Sequence, residues 1–374
     1  MLRIALLADF PVHALPGYEN SEKGHHATWL PPLAMQLEAH SDHFDFQWVT
    51  CTKEVSEPTT LRAWNQTFHL LPRGKLSVEM LTGFCGERRR IRCLLKSLKP
   101  DLVHGWGTEQ GYGDAAVDYS GRNLLSLQGI LGSYCKAAPM PWLTRIQARH
   151  EARVLKRAQH LTVESPWGKS QLADAAPHAQ VHLLEYGAHP KCFDGVRKPT
   201  PAPLALFVGS LSLLKGVDTL LEAFSDPRLG GIELVVLGAG SPEFQHRKLP
   251  ANIQFLGHRT PAEVRVWMAK AWCLVHPTRA DTSPNCVKEA RVIGLPVVTT
   301  PDGGQTQYVE HGKSGFIHPA GDMAGLIEGV LALTGNLETN LAAGAHGKTA
   351  CRAALAPEKT MTRLLEIYRS LLDS

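Results

Sequence analysis

Residues 276–298 read His-Pro-Thr-Arg-Ala-Asp-Thr-Ser-Pro-Asn-Cys-Val-Lys-Glu-Ala-Arg-Val-Ile-Gly-Leu-Pro-Val-Val. Ser283 is a residue that favours a helix N-cap, and Pro284 suits the first helical position. Gly294 suits a helix C-terminus, and Pro296 after it cannot continue the helix. The stretch therefore predicts a loop, one helix and a following strand, which is the unit of a parallel α/β sheet.

The start of this predicted helix has the features of an anion site. The N–H groups of Asn285, Cys286 and Val287 lack helical partners, and the positive end of the helix dipole lies behind them. Such helix starts bind phosphate. Glu289 lies one turn further along, where a carboxylate can accept hydrogen bonds from sugar hydroxyls, and Asp281 lies on the loop before the helix.

Short apolar runs alternate with helical patterns through most of the 374 residues. This alternation predicts doubly wound parallel sheets. A proline-rich linker, Lys-Pro-Thr-Pro-Ala-Pro at 198–203, interrupts it. We therefore predict an N-terminal domain over 1–196, a C-terminal domain over 197–356, and a last amphipathic helix over 357–374.

Composition excludes several classes of protein. Apolar residues make up 44% and charged residues 20%, which is typical of a globular chain. The net charge of +4 is small, so the composition does not indicate a nucleic-acid-binding protein. The eight cysteines form no Cys-x-x-Cys pair and have no metal-site spacing, which predicts reduced thiols in a cytoplasmic protein without a bound metal.

Two further glycine-rich turns follow predicted strands. Residues 207–216 read Phe-Val-Gly-Ser-Leu-Ser-Leu-Leu-Lys-Gly and place Lys215 directly before a helix. By itself Lys215 is more simply a solvated lysine. Residues 237–242, Leu-Gly-Ala-Gly-Ser-Pro, lack the third glycine of a dinucleotide fingerprint and indicate a turn at the end of a strand. Gly257 and His258 end the next predicted strand on the same side.

The segment around Asp281 resembles the donor-site signature of retaining GT-B glycosyltransferases. That large family, the family-four or group 1 glycosyltransferases, carries Glu-x7-Glu, a helix rich in small residues, and Gly-x-Pro-Val-Val. Glu289 matches the second glutamate, and Asp281 stands at the first with seven residues between them. Asp-Gly-Gly at 302–304 and His-Gly-Lys-Ser-Gly-Phe at 311–316 also resemble the downstream turns of the family.

The resemblance implies two Rossmann-like domains that face a central cleft, with the last helix packed back on the first domain. It implies transfer of a sugar from a UDP- or GDP-type donor to a hydroxyl acceptor (a glycan, a lipid-linked or a small molecule), with retention and without metal or cofactor. Asp281 and Lys215 are then the catalytic candidates. The donor-binding candidates are Gly17, Gly209, Ser210, Lys215, Gly257, His258, Asn285, Cys286, Val287 and Glu289.

The N-terminal domain matches the family only in outline. Asp-Leu-Val-His at 101–104 resembles its Asp-x-hydrophobic-His strand end. The following strand ends in Gln128, where the family often has histidine; glutamine can hydrogen-bond a hydroxyl but cannot act as a base. The acceptor-side candidates are His25, His104, Glu109 and Gln128. For the two histidines, a polar loop or a satisfied core position is an equally good interpretation.

A basic helix is predicted over Arg88–Lys99. Its apolar face consists of Ile91, Leu94, Leu95 and Leu98, with a stripe of Arg88, Arg92, Lys96 and Lys99 beside it. Packing on the sheet is the simpler interpretation, and docking on an anionic surface at the inner face of the membrane is the alternative.

Two other functions stay open from the sequence. The same fold supports nucleotide-sugar epimerases and hydrolases, and it also supports binding proteins without activity. Release of nucleotide that depends on an acceptor would exclude an epimerase. The presence of Asp281, Glu289 and Lys215 favours an enzyme, whereas Ser210 and Gln128 depart from the family and keep the binding protein open.

Overall fold

The computed structural model describes residues 1–21, 27, 29–245 and 248–373. In the described chain, the first eight strands form one sheet and the last six strands form a second sheet. The first contains β1 Leu2–Leu7, β2 Phe44–Thr52, β3 Thr59–Ala63, β4 Gln66–Pro72, β5 Leu102–Trp106, β6 Arg122–Leu127, β7 His160–Val163 and β8 Gln180–Leu183. The second contains β9 Leu204–Val208, β10 Glu233–Leu237, β11 Ile253–Gly257, β12 Cys273–His276, β13 Val297–Thr299 and β14 Gly315–Ile317.

Helices connect the strands and cover both faces of each sheet. Their bounds are α1 Leu30–Leu37, α2 Leu76–Leu81, α3 Cys85–Leu98, α4 Gly111–Val117, α5 Leu131–Ala137, α6 Trp142–Leu155, α7 Pro166–Leu172, α8 Val217–Phe224, α9 Pro242–Gln245, α10 Pro261–Lys270, α11 Asn285–Ile293, α12 Met323–Thr334, α13 Leu337–Ala345, α14 Lys348–Ala354 and α15 Pro357–Asp373. In the described residues none of these helices is long and apolar enough to cross a bilayer.

Both sheets have the doubly wound order that the sequence predicts. The first runs β3-β4-β2-β1-β5-β6-β7-β8, and only β3 is antiparallel to its neighbour. The second runs β11-β10-β9-β12-β13-β14 with every pair parallel. In each sheet the order reverses beside the first strand, between β1 and β5 and between β9 and β12. Ligands of such sheets bind at that point, outside the carboxyl ends of the strands.

The apolar core follows from burial of each sheet on both faces. Ile4 and Leu6 of β1 lie in the cluster on one face, while Ala5 and Leu7 lie in the cluster on the other. All four are fully buried. This explains why the strands read as continuous apolar runs rather than alternating ones.

The last helix, α15, belongs to the core of the first sheet. The helix is amphipathic, as predicted, and its buried face includes Met361, Leu364, Leu365, Tyr368 and Leu371. Tyr368 donates to or accepts from the Nδ1 atom of His104 on β5 at 2.6 Å. The chain therefore returns to the first domain after it has completed the second.

Candidate functional site

A charged cluster joins two loops at the carboxyl ends of β9 and β12. The Nζ atom of Lys215 donates to the carboxylate of Asp281, and Asp281 Oδ2 lies 3.3 Å from His276 Nε2. Gly216, which follows Lys215, has φ +68°, and a Cβ there would lie 2.0 Å from the carbonyl oxygen of Pro277. A glycine is therefore required to bring the start of α8 against the β12 loop.

The charges in this cluster are fixed by their neighbours. Burial opposes ionisation of Asp281, but Lys215 and His276 outweigh it and hold the pKa of Asp281 well below its usual range. Burial also opposes the charge on His276, whereas Cys286 and Asp281 raise the pKa of His276 to about 9. The cluster thus pairs the Lys215 ammonium with an ionised Asp281, and His276 contacts the same carboxylate.

Helix α11 spans Asn285–Ile293, and its start differs from the predicted one only in the residue that caps it. Its N-cap is Pro284, whose carbonyl accepts from Val287 N at 3.1 Å and from Lys288 N at 3.2 Å. The prediction that Ser283 caps the helix is wrong, because its hydroxyl donates to Glu185 Oε1 at 3.0 Å instead. The carboxylate of Glu185, in the first domain, thus binds the Ser283 hydroxyl in place of the N–H groups of the helix start.

The N–H groups that remain at this helix start are fewer than predicted. Val287 N is bonded to Pro284, and the Val287 side chain is fully buried in the second core, so Val287 is not placed to bind a ligand. Asn285 is exposed and Cys286 is partly exposed. Their backbone N–H groups point out of the first turn of the helix, as the geometry of helix starts requires.

Glu289 lines a cavity of about 260 Å³ together with Asn285. No hydrogen bond to its carboxylate occurs within the described residues. Burial raises the pKa of Glu289 to about 7 against the attraction of Arg265 and Lys288. An unsatisfied carboxylate at the edge of a cavity is an acceptor for a ligand's hydroxyl groups.

A buried ion cluster connects α11 to the first domain. The Nζ atom of Lys288 lies 2.9 Å from Glu164 Oε2, from Glu185 Oε1 and from the Tyr186 carbonyl oxygen. Lys288 is fully buried, and Tyr308 donates to the second oxygen of Glu185. Three donors on one ammonium match three acceptors on the residues that follow β7 and β8, so the cluster fixes α11 against the first domain.

The loop that carries Asp281 is also held from the first domain. Tyr134 of α5 contacts Thr282 Oγ1 at 3.0 Å, and Ser165 Oγ donates to the Thr282 carbonyl oxygen at 2.6 Å. The backbone of Gly304 packs against the same carbonyl oxygen, and a Cβ at Gly304 would lie 2.2 Å from it. The carboxyl ends of the two sheets therefore meet across one cleft.

A comparison with known protein families gives a match for the second domain. Residues 202–336 match the family model described as glycosyl transferases group 1. The second domain belongs to that family. A similar curated relative is the amylovoran biosynthesis glycosyltransferase AmsK of Erwinia amylovora, 26% identical over 190 residues, which are 46% of this chain and 47% of the relative. A D-inositol 3-phosphate glycosyltransferase of Pseudarthrobacter chlorophenolicus is 31% identical over 138 residues, 33% of each chain.

The chain spans about half the length, or less, of these curated relatives. Solved structures extend the likeness to the whole fold. The sucrose-phosphate synthase of Thermosynechococcus elongatus superposes with a TM-score of 0.81 at 16% identity over 100% of both chains. WaaG, a glycosyltransferase involved in lipopolysaccharide biosynthesis, gives 0.67 at 20% identity over 96% of this chain and 98% of its own. The fold of this chain is GT-B.

Within the group 1 domain, the other predicted donor residues lie at strand ends. Gly209 and Ser210 follow β9, and Gly257 ends β11 with φ +71° before the exposed His258. β9 and β11 lie on either side of β10, so all four residues lie at the carboxyl ends of neighbouring strands. Gly17, in the first domain, is exposed with φ +85°, and no atom of the described residues lies within 4 Å of its added Cβ.

Of the acceptor-side candidates, Glu109 and Gln128 line a second cavity of about 430 Å³. It shares Trp29, Tyr186 and Asn285 with the first cavity. The two cavities are therefore adjacent parts of the cleft between the group 1 domain and the first domain.

The other two acceptor-side candidates are histidines. His104 is fully buried, and its ring nitrogens contact Tyr368 and Ser126 Oγ at 2.6 and 2.7 Å. Burial lowers the pKa of His104 well below its usual value. The predicted acceptor role of His104 is wrong, because both nitrogens are used inside the core. His25 lies outside the described residues.

Helix α3 carries the predicted basic stripe. Ile91 and Leu95 are buried against the first sheet, as packing predicts. Arg88 and Arg92 each donate to Asp118, at 2.8 and 2.7 Å, so half of the four-residue stripe is paired with one shared carboxylate.

Several site residues were not predicted from the sequence, namely His276, Tyr134, Ser165, Glu164, Glu185 and Lys288. Most of them end or follow a strand, and that position is the signal that could have identified them. The structure also contains no group of three metal-ligating side chains among the residues it describes.

Proposed function

We propose that this chain is a retaining glycosyltransferase that transfers a sugar from a nucleotide-sugar donor to a hydroxyl acceptor. The observation that carries the proposal is the ion pair of Lys215 and Asp281 beside the open start of α11. A fixed ammonium and free N–H groups at one point form a site for a diphosphate. The match of residues 202–336 to group 1 glycosyltransferases supports the same conclusion.

The donor is a UDP- or GDP-sugar in this proposal. Its departing diphosphate gains negative charge as the glycosidic bond breaks, and Lys215 together with the N–H groups of Asn285 and Cys286 stabilises that charge. Glu289 accepts hydrogen bonds from the ribose hydroxyls. A structural neighbour, HepE of Anabaena, was solved in complex with UDP-glucose and has a TM-score of 0.65 at 15% identity over 99% of this chain and 100% of its own.

Asp281 acts as an electrostatic and positioning group rather than as a base. The depressed pKa of Asp281 makes its carboxylate a weak proton acceptor at neutral pH. It orients Lys215 and keeps a negative charge near the sugar, whose transition state resembles an oxocarbenium ion. Gln128, on the other side of the cleft, is an amide that can bind the acceptor hydroxyl.

We further propose that turnover needs no metal, because Lys215, His276 and the helix start supply the positive charge that a metal would supply. A cytoplasmic location fits the proposal, and the eight unpaired cysteines support it.

Thermal-shift measurements against a panel of UDP- and GDP-sugars test the donor site. A ligand at one hundred times its Kd stabilises the folded protein by about 2.7 kcal/mol, a shift that is readily measured. Nucleotide release must then depend on an added hydroxyl acceptor. Release without an acceptor would favour a hydrolase, interconversion of the donor would favour an epimerase, and donor binding without turnover would favour a binding protein.

A further inference from the structure

Helix α5 of the first domain packs against both loops that carry the ion pair of Lys215 and Asp281. Ala138, which directly follows α5, is buried in a small apolar cluster with Leu214 and Ala280. Leu214 directly precedes Lys215 in the chain. Ala280 directly precedes Asp281. One apolar contact between the domains therefore reaches both partners of the ion pair through the residues next to them.

The same helix makes a polar contact on the other side of Asp281. The Tyr134 hydroxyl lies 3.0 Å from Thr282 Oγ1 and accepts a hydrogen bond from Thr282 N at 3.3 Å. Thr282 is fully buried, so its N–H group has no water to turn to if this acceptor is removed. Burial and the nearby charge of Asp281 raise the pKa of Tyr134, so the hydroxyl keeps its proton and can both donate and accept.

Helix α5 is itself anchored within the first domain. Glu151 of α6 accepts a hydrogen bond from Gly132 N at 2.9 Å, in the first turn of α5, and another from Thr108 Oγ1 at 2.7 Å. Glu151 is buried, and α5 packs along α6. Because Tyr134 follows Gly132 by two residues, the first domain decides where the Tyr134 hydroxyl lies.

The position of the Lys215 ammonium depends on the loop that Tyr134 holds. A lysine side chain is flexible, and the carboxylate of Asp281 is what fixes the charge of Lys215. Thr282 follows Asp281 directly, so a shift of Thr282 moves the backbone that carries this carboxylate. A displacement of about 1 Å at a catalytic group can cost about a hundredfold in rate.

We propose that Tyr134 is a positioning residue of the donor site, and that α5 places the pair of Lys215 and Asp281 from across the domain interface. This inference rests on the proposed glycosyltransferase function. The pair is in its working position only while α5 rests on both loops. The first domain, which carries the acceptor-side candidates Glu109 and Gln128, therefore also controls the donor side, and a donor bound to the group 1 domain alone is cleaved more slowly.

A double-mutant cycle on the full chain separates this role from a structural one. The kcat of the wild type, Tyr134→Phe, Lys215→Ala and the double variant is measured with the donor sugar found by thermal shift and a hydroxyl acceptor. Tyr134→Phe should lower kcat by about three- to tenfold in the wild-type background, because a buried N–H group loses its acceptor. It should leave kcat nearly unchanged in the Lys215→Ala background, where the ammonium that Tyr134 helps to place is absent.

The cycle carries its own control for folding. Partial misfolding caused by Tyr134→Phe would lower kcat by the same factor in both backgrounds, so it cancels from the ratio of the two effects. Tyr119→Phe is the matched variant, since it removes a hydroxyl that donates to the Pro100 carbonyl oxygen at 2.6 Å within the first domain. It should leave kcat unchanged in both backgrounds. An equal loss of kcat from Tyr134→Phe in the two backgrounds, or no loss in either, would overturn the inference.

Nucleotide binding gives the same cycle without turnover. UDP and GDP carry the diphosphate that Lys215 is proposed to bind, and the one that binds more tightly is used. Tyr134→Phe should raise its Kd by about threefold or more in the wild-type background and not in the Lys215→Ala background.

The two measurements distinguish failure of the inference from failure of the proposed function. If no acceptor supports transfer, the proposed function fails, and the cycle on Kd still decides whether Tyr134 acts through Lys215. If Tyr134→Phe changes Kd equally in the two backgrounds while transfer proceeds, the inference is overturned and the transferase function stands. Binding of neither nucleotide would contradict the donor site and the inference with it.

Discussion

Lys215 is a cation that the fold holds in place. Its ammonium is bonded to Asp281, and the αL conformation of Gly216 brings its loop against Pro277. Asp281 is itself fixed by the parallel bridge of its backbone to Gly303. A preorganised charge stabilises a transition state without reorganisation during the reaction, which is why its removal is costly.

Replacement of Lys215 by alanine should lower kcat by about a hundred- to a thousandfold, equivalent to about 2.7–4 kcal/mol. The loss should fall on kcat more than on donor KM, because the contact strengthens as the diphosphate departs. Steady-state kinetics measure it, with circular dichroism as the folding control. Lys313→Ala removes an exposed lysine that pairs only locally with Glu310, and it should leave kcat unchanged. If Lys215→Ala kept a kcat close to that of the wild type, the donor would bind elsewhere than proposed.

Glu289 should make donor binding depend on pH. The pKa of Glu289 is raised to about 7, so the carboxyl is protonated below that pH and ionised above it. A carboxylate accepts hydroxyl hydrogen bonds more strongly than a carboxylic acid does. We therefore expect donor KM to fall as pH rises from about 6 to about 8.

In Glu289→Gln, donor KM should be higher than in the wild type at the upper end of this range, and it should lose the pH dependence. The two KM profiles are measured in buffers of constant ionic strength. If donor KM in the variant still followed the wild-type curve, the titrating group would not be Glu289.

The sequence identified some of these residues and not others for physical reasons. Asp281, Lys215 and Glu289 lie in loops or helix starts after strands, where spacing along the chain decides position. His104 also ends a predicted strand, but strand patterns do not say which face of the sheet a side chain joins, and Tyr368 comes from 264 residues away. The misassigned cap at Ser283 has the same cause, since Glu185 lies on another domain.

Among the elements, α11 links the proposed donor site to the domain interface. Its C-terminus follows local rules, with Gly294 at φ +92°. Its N-terminal half depends on long-range contacts, because Lys288 is buried between Glu164 and Glu185. The orientation of the open N–H groups at Asn285 and Cys286 therefore depends on a cluster that no short motif predicts.

Lys288→Met should lower the free energy of unfolding by about 3–5 kcal/mol, because it leaves the buried carboxylate of Glu164 and the partly buried one of Glu185 without their cation. Urea denaturation measures the change. The triple variant Lys288→Met, Glu164→Gln, Glu185→Gln removes the uncompensated charge and should recover much of the loss. If the single variant were as stable as the wild type, the buried cluster would not hold the two domains together.

Helix α3 allows a test of membrane docking, which stays a prediction. If the stripe on this helix binds anionic lipid, binding to vesicles that contain phosphatidylserine should weaken as salt rises, with about 1 kcal/mol per basic residue near the surface. Lys96→Glu and Lys99→Glu should abolish it, since these exposed lysines are free of the Asp118 pairing. Absence of vesicle binding at low salt would leave α3 with its packing role alone.

For the whole chain, the alternation of strands and helices predicted two doubly wound sheets, and the family resemblance implied that the last helix returns to the first domain. The pattern did not predict β3, Thr59–Ala63, because this antiparallel edge strand is mostly exposed and has no buried apolar run. It also did not predict how the domains meet. The contacts of Tyr134 and Ser165 with Thr282 are made by single polar side chains, 148 and 117 residues away in sequence.

We propose that the cleft between these domains transfers a sugar with retention and without metal. Proton NMR of the reaction, run with an α-linked nucleotide sugar and a hydroxyl acceptor in excess EDTA, tests retention and metal independence at once. We expect an α-linked product, formed at the same rate with and without EDTA, and no loss of donor when the acceptor is omitted. A β-linked product, or turnover that stops in EDTA and returns with Mg²⁺ or Mn²⁺, would contradict the proposal.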